Sequence, residues 1–269
     1  MSRLDCSVGI VGAGSMGGAI ARGLVASGAL DASSIASCDP SASMLEPLAE
    51  LGIRCFASGD ELVALGTDVV ILAVKPQILP AVVAPLAGSL EGRLVVSIAA
   101  GVNLDTLEGL LPGARVVRVM PNLPIQVLSG ASAVCAGTRA TADDANLVRD
   151  LFASLGSAQV MREDQLDVAG AVSGCGPAYF ALFVDDLTRA GVRAGLPAAA
   201  CREMVLATMR GVAQQLIDSG EHPRAYMDKV TSPGGTTAAG LQAMEASLFY
   251  AASDAVDAAL ERTRELAEA

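Results

Sequence analysis

The chain has 269 residues, 52% hydrophobic and 17% charged, which suffices for one large globular domain or two ordinary ones and lacks the charge-rich signature of disorder. Its 18 basic residues against 29 acidic give a formal charge of −11, spread over both halves, and exclude a broad basic face for nucleic acid. Six scattered cysteines and a single histidine, His222, exclude within one chain a zinc site on two histidines or a pair of histidine acid/base groups.

Up to about residue 160, short β-branched runs alternate with helical stretches, the pattern of βαβ units and a doubly wound, mostly parallel sheet. Strands are predicted at Ser7–Val11, Ser34–Asp39, Val69–Val74, Leu94–Ile98, Val116–Met120 and Ser132–Ala136, with helices at Ser15–Ser27, Met44–Leu51, Asp60–Leu65 and Leu104–Leu110. The runs at 69–74 and 94–98 are apolar without alternation, which suits strands covered on both faces. Beyond Met161 the texture turns to Ala, Leu, Met and Val at helical spacing, predicting helices over Pro177–Gly195, Ala198–Ser219 and Thr237–Glu268. The expected organisation is therefore an α/β domain over 1–163 and an all-helical domain over 164–269.

The uncharged run Val168–Val184 has 17 residues and contains Gly174, Gly176 and Pro177, whereas a membrane-spanning helix needs roughly 20 mostly apolar residues. No membrane partner is expected, and Met1–Cys6 carries no apolar signal region, so a cytoplasmic location is expected. The last predicted helix carries more apolar surface than one small domain covers, through Leu241, Met244 and Leu248 among others. A homodimer or higher homo-oligomer is expected from that surplus.

Chemistry is concentrated in a few segments. Gly12-Ala13-Gly14-Ser15-Met16-Gly17 follows the first strand and opens a helix, the arrangement of a Rossmann dinucleotide-binding turn. The first glycine permits the turn, the second lets backbone approach a pyrophosphate, and the third packs helix on strand; the helix N-terminus favours the phosphate charge. Asp39 closes the second strand, where an acid accepts hydrogen bonds from an adenosine ribose and repels a 2′-phosphate; Asp39-Pro40 is equally a turn initiator. No Lys or Arg occurs between Arg22 and Arg54 to clamp a 2′-phosphate, which locally favours NADH or dual use.

Val74, Lys75 and Pro76 end the third predicted strand at the carboxyl edge of the sheet, where ligands of open α/β sheets collect; the alternative for Lys75 is a solvated loop charge. Ala99, Ala100 and Gly101 end the next strand in small residues, leaving backbone free for a nicotinamide or ribose, or marking a tight turn. Late in the chain, Thr231-Ser232-Pro233-Gly234-Gly235-Thr236-Thr237 precedes the last helix. Its backbone N–H groups and hydroxyls make either a carboxylate receptor or an ordinary helix cap.

These segments, with Met120-Pro121-Asn122, Ser173-Gly174-Cys175-Gly176-Pro177-Ala178-Tyr179 and Glu221-His222-Pro223, resemble pyrroline-5-carboxylate reductases over nearly the whole chain. The stretch Ser232–Thr237, with Leu241 and Glu245 in register, is the most specific part of the resemblance. The resemblance implies an amino-terminal Rossmann domain, a helical carboxy-terminal domain that forms dimers or larger rings, and reduction of 1-pyrroline-5-carboxylate to L-proline by NADPH or NADH. It implies that Gly235, Thr236 and Thr237 hold the carboxylate and ring nitrogen of the small-molecule substrate while Val230 lines the site; within that segment, the N–H groups of Gly235 and Thr236 are expected on the carboxylate and Thr237 Oγ on the imine nitrogen. Cofactor contacts are implied at Gly12, Gly14, Ser15, Met16, Gly17, Asp39, Val74, Lys75, Pro76, Ala99, Ala100, Gly101 and Asn122, and His222 is expected to be structural, its neighbour Pro223 marking a helix start.

Three positions depart from the family pattern. Leu123 stands where a threonine is usual, Cys175 where a serine is usual, and Asp39 where many relatives carry a neutral or basic group and prefer NADPH. A β-hydroxyacid dehydrogenase would need an acid/base lysine within a helix of the second domain, yet the only lysine there, Lys229, directly precedes the glycine-rich turn. A non-catalytic dinucleotide-binding protein is the remaining alternative, with Leu123 and Cys175 as its features.

Overall fold

The structure, a computed structural model, describes residues 3–268; Met1, Ser2 and Ala269, on which the readings of the two termini partly rest, lie outside the described residues. Eight strands form one sheet: β1 (Val8–Val11), β2 (Ile35–Cys38), β3 (Arg54–Phe56), β4 (Val69–Leu72), β5 (Leu94–Ser97), β6 (Arg115–Met120), β7 (Gly130–Ala136) and β8 (Gly156–Val160). Their spatial order is β3-β2-β1-β4-β5-β6-β7-β8. All neighbours are parallel except β6 and β7, where Arg118 pairs with Cys135 in an antiparallel register. This is the mostly parallel, doubly wound sheet expected, and β1 and β4 flank its switch point.

Side chains along the central strands divide strictly between two cores. Val8, Ile10, Val69, Ile71, Leu94 and Val96 face one side. There they meet Ile20 and Leu24 of α1 (Ser15–Ala26), Leu48 of α2 (Ala42–Ala49) and Phe152 of α6 (Ala142–Ala153). Val11, Val70, Leu72 and Val95 face the other, against Leu62 of α3 (Gly59–Val63), Leu79 and Val83 of α4 (Leu79–Val83) and Leu107 of α5 (Leu104–Leu110). Both faces are dry, so the strand sequences read as unbroken apolar runs. Removing a fully buried side chain such as Leu24 would cost about 2–5 kcal/mol.

Four elements of this half escape the sequence pattern. β3 has only three residues, none fully buried, and β8 buries only Ala158. α4 is a five-residue helix, and α6 buries Ala145, Val148, Leu151 and Phe152 on one face behind a full capping box between Thr141 and Asp144.

α7 (Glu163–Ala169) is pinned to the sheet by a buried cation. Arg118 on β6 is only 4% exposed; its guanidinium donates to Asp167 at 2.8 Å and lies 3.3 Å from Glu163, one helical turn apart. Glu163 also accepts from the Leu104 N–H at the start of α5, so this one carboxylate joins α7 to both β6 and α5. A π-helical segment follows at Gly170–Gly174. Gly170 and Gly174 lie so close to the Met120 methyl that an added β-carbon would sit 3.0 Å from it.

The chain forms two compact units, one running through Cys175 and including the residues from Ala259, the other spanning Gly176–Ala258. The boundary expected at 163/164 falls at the first residues of α7. The second unit is helical throughout, with α8 (Gly176–Arg193), α9 (Ala198–Ser219), α10 (Pro223–Lys229) and most of α11 (Thr236–Glu268). α10 lies outside the helices expected from the sequence: His222 caps it, with its Nδ1 accepting from the Arg224 N–H at 3.2 Å, as a structural role for His222 would have it.

Candidate active site

The turn after β1 separates the tasks of its three glycines. Gly12 has φ +99°, and a β-carbon there would lie 2.6 Å from the Ala73 carbonyl oxygen beyond β4, so only glycine fits. Gly17 packs α1 onto the turn, since a β-carbon would lie 1.9 Å from the Gly12 carbonyl oxygen. At Gly14 a β-carbon would meet nothing within 4 Å, so its smallness keeps space open. Gly14 caps α1 with no side chain, and the helix ladder starts with Gly18 N–H donating to Gly14 O at 2.8 Å. The N–H groups of Ser15, Met16 and Gly17 therefore precede the ladder, and the positive helix end opens onto cleared space suited to a pyrophosphate.

Asp39 ties two loops together. Its Oδ2 accepts the Ala13 N–H of the glycine turn at 2.9 Å, and its Oδ1 accepts the Ser41 N–H at 2.9 Å. Gly12 N–H donates to the Cys38 carbonyl at 2.8 Å, completing the seam between the ends of β1 and β2. Asp39 organises its own turn, as the turn reading has it, and its carboxylate stays at the sheet edge with further lone pairs.

Asp39 and Gly12 line a cavity of about 400 Å³ with Val74, Ile78, Val82 and Leu86 as its apolar wall. A cavity of that size and mainly apolar lining suits an adenosine moiety. Val74 was anticipated; Ile78, Val82 and Leu86 were not, because they lie on or beside the missed α4, and their signal was only their position beyond the carboxyl end of β4. The lining also includes Asp60 and no basic residue.

The remaining cofactor candidates fall along the same carboxyl edge. Lys75 is exposed and precedes a single 3-10 turn at Pro76–Ile78, making no ion pair among the described residues. Ala99, Ala100 and Gly101 follow β5, where the Ala99 N–H donates to the buried Ser97 hydroxyl at 3.3 Å and Gly101 turns the chain at φ +76°. Asn122 follows β6, with its amide committed at both ends. Nδ2 donates to the Ser173 carbonyl at 2.9 Å and Oδ1 accepts from Ala131 N–H at 2.8 Å, so it braces the π-helical segment against the sheet. The adjoining Leu123 is exposed.

In the helical unit the segment 230–237 forms one tight turn. Gly234 has φ +67°, and Gly235 N–H donates to the Ser232 carbonyl at 2.9 Å. That bond engages one of the two N–H groups expected to be available for a carboxylate. The α11 ladder begins with Ala239 N–H on Gly235 O at 3.2 Å, so the N–H groups of Thr236, Thr237 and Ala238 precede it. Thr236 and Thr237 are exposed, as is Val230 at the end of α10.

Two thiols, the buried Cys38 and the half-buried Cys6, are held in the protonated form. Burial pushes Cys38 up to about 11, with the Gly12 backbone opposing the rise and Asp39 adding to it, and Cys6 likewise to about 11. No group of three or more metal-ligating side chains occurs among the described residues.

A doubly wound sheet, a glycine turn that clears space before an uncapped helix, and an apolar cavity closed by an acid at the end of β2 define a dinucleotide-binding protein of the Rossmann class. Residues 163–266 match the model described as pyrroline-5-carboxylate reductase dimerisation, and residues 7–101 match one described as NADP oxidoreductase, coenzyme F420-dependent. The chain is 39% identical over 264 residues to pyrroline-5-carboxylate reductase of Arabidopsis thaliana, covering 97% of this chain and 95% of the relative. It is 38% identical to pyrroline-5-carboxylate reductase 3 of Mus musculus, with 97% and 96% covered. Among solved structures, the Coxiella burnetii pyrroline-5-carboxylate reductase superposes with TM-score 0.92 at 31% identity, covering 97% of this chain and 98% of that one. The Plasmodium falciparum pyrroline carboxylate reductase, solved with NADP bound, gives 0.85 at 31% identity with 99% and 100% covered. The chain belongs to the pyrroline-5-carboxylate reductase family. One stretch, Glu163–Arg193, is long and apolar enough to cross a membrane by length and composition, and it falls inside the dimerisation match.

Proposed function

We propose that this protein reduces 1-pyrroline-5-carboxylate to L-proline with NADPH or NADH, and that Thr236 and Thr237 hold the substrate. Family membership over nearly the full chain carries the reaction, and the unladdered N-terminus of α11 supports the residue roles. The N–H groups of Thr236 and Thr237 bind the substrate carboxylate at the positive end of a long helix, and Gly235 shapes the turn through its bond to Ser232. Val230 supplies apolar surface beside them.

Thr237 Oγ orients the ring by hydrogen bonding at the imine nitrogen. An imine that arrives protonated needs no strong acid from the protein, which agrees with His222 being occupied as a helix cap. When bound, a reduced nicotinamide would supply the hydride for the imine carbon. Gly12, Gly14, Ser15, Met16 and Gly17 seat its phosphates; Asp39 and Val74 flank the adenosine, and Lys75, Pro76, Ala99, Ala100, Gly101 and Asn122 form the rest of the edge it lies along.

The domains act at 1–163 for cofactor and 164–269 for substrate and self-association, giving a cytoplasmic homodimer or larger homo-oligomer. The exposed Phe180, Ile217 and Phe249 of the helical unit support that assembly. Initial-rate oxidation of NADH and NADPH by purified protein with 1-pyrroline-5-carboxylate tests the activity. Cofactor binding without turnover would transfer the assignment to another imine or to a binding-only protein.

A further inference from the structure

We infer that Asp39 makes this chain select NADH over NADPH. The inference rests on the use of a nicotinamide dinucleotide by the Rossmann unit and departs from the NADP named for the matching family model and for the Plasmodium falciparum relative. Asp39 lies at the carboxyl end of β2, in the wall of the apolar cavity, where a Rossmann turn places the adenosine ribose.

The carboxylate is fixed there. Oδ2 holds the Ala13 N–H and Oδ1 the Ser41 N–H, each at 2.9 Å, so the side chain cannot rotate away from an arriving group without losing a hydrogen bond to each loop. Each oxygen keeps a lone pair for a ribose hydroxyl, which donates. A 2′-phosphate brings negative charge and acceptors to the same place, and the field around it offers no relief. Asp60 is the other charged residue lining the cavity, and no lysine or arginine lines it. Arg22 folds over Gly18 on α1, where an added β-carbon would lie 3.0 Å from its guanidinium. Arg54 opens β3, at the end of that strand remote from Asp39, whose N–H bonds the carbonyl of Phe56. Lys75 is not part of the lining.

Calorimetric titration of the full chain with NADH and NADPH at equal ionic strength tests this without substrate. The expected result is a dissociation constant at least about tenfold lower for NADH, falling to within about threefold in Asp39→Ser. Because Asp39 also braces the glycine turn, both affinities can drop in that variant; the ratio between them is the readout. Asp39→Asn, nearly isosteric, provides the same ratio if the serine variant does not fold. Equal or tighter NADPH binding by the native chain, or a ratio unchanged in both variants, would overturn the inference. Retained NADH preference with no turnover of 1-pyrroline-5-carboxylate would instead overturn the substrate assignment alone.

Discussion

A β-carbon on Gly17 would lie 1.9 Å from the carbonyl oxygen of Gly12, whereas one on Gly14 would meet no atom of the chain within 4 Å. The two glycines of one motif therefore differ: the fold requires Gly17 to stay small, whereas nothing in the chain itself crowds Gly14. Gly17→Ala should destabilise the free protein by about 2 kcal/mol or more through overpacking against backbone. Gly14→Ala should leave the free protein within about 0.5 kcal/mol of native while weakening dinucleotide binding at least about tenfold, because its methyl enters the cleared space. Urea unfolding paired with calorimetric titration separates the two; a Gly14→Ala variant that binds NADH normally would remove the pyrophosphate from this turn.

Thr237 is exposed near the start of α11, in a turn organised by Gly235 and Ser232 rather than by its own hydroxyl. Thr237→Val keeps the shape and removes the hydroxyl. The expected loss is about ten- to a hundredfold in kcat/KM for the imine, the worth of one hydrogen bond to a charged group, with NADH affinity unchanged. Unchanged kcat/KM would take Thr237 out of the site.

Arg118 is 4% exposed while its partners Glu163 and Asp167 are 35% and 45% exposed, so the cation bears most of the burial. Losing Asp167 alone, as Asn, should cost about 1 kcal/mol or less because the partner is well solvated. Neutralising both, Glu163→Gln with Asp167→Asn, leaves a buried charge uncompensated and should cost about 3 kcal/mol, more than the two single losses together. Chemical denaturation of the single and double variants checks it, and simple additivity would show that Arg118 does not depend on the pair.

In the helical unit Phe180 is 64%, Ile217 75% and Phe249 67% exposed, and only Gly176, Thr188 and Cys201 are buried on α8 and α9. Helices with so little core of their own need a partner surface. Sedimentation should give a multiple of 27.1 kDa, and Phe249→Asp with Ile217→Asp should lower both the mass and the melting temperature. A monomer at micromolar concentration in the native chain would refute the assembly.

The unbroken apolar runs of β4 and β5 and the glycine turn after β1 were legible because each follows from a local rule. Strands dry on both faces read as continuous, and a helix meeting a tight turn needs glycine. β8, Gly-Ser-Ala-Gln-Val, carries no such pattern; only Ala158 is buried, and its place comes from pairing with β7. For α6 two signals were available, the capping pair Thr141 and Asp144 and the helical spacing of Ala145, Val148, Leu151 and Phe152. That Arg118 would meet Glu163 and Asp167, or that Asp39 would bond Ala13, depends on which loops the sheet brings together, and no local spacing encodes that.

Two acids of the Rossmann unit, Asp144 and Asp68, are held below the usual carboxylate range by hydrogen bonds that join separate segments. Burial alone would raise the Asp144 carboxyl, but hydrogen bonds from the Thr141 N–H and hydroxyl, with the Arg115 guanidinium, outweigh it and hold the group below the usual carboxylate range. The Ser7 hydroxyl, then the Ser7 N–H, lowers Asp68 likewise, joining the start of β1 to that of β4. Both groups bind protons less readily folded than unfolded, where an aspartate titrates near about 3.9. The unfolded chain therefore holds more protons between the two values. The stabilisation is present above that unfolded value and is lost as pH falls toward the folded ones. Urea midpoints measured from pH 6 down to pH 3 should fall steeply in the native protein and less steeply in the double variant Asp68→Asn with Asp144→Asn. The variant should be the weaker of the two at pH 6 and approach the native protein at pH 3. Parallel curves would mean that other carboxylates govern acid unfolding, and that the Thr141 cap and the Ser7 tie hold equally well with a neutral amide.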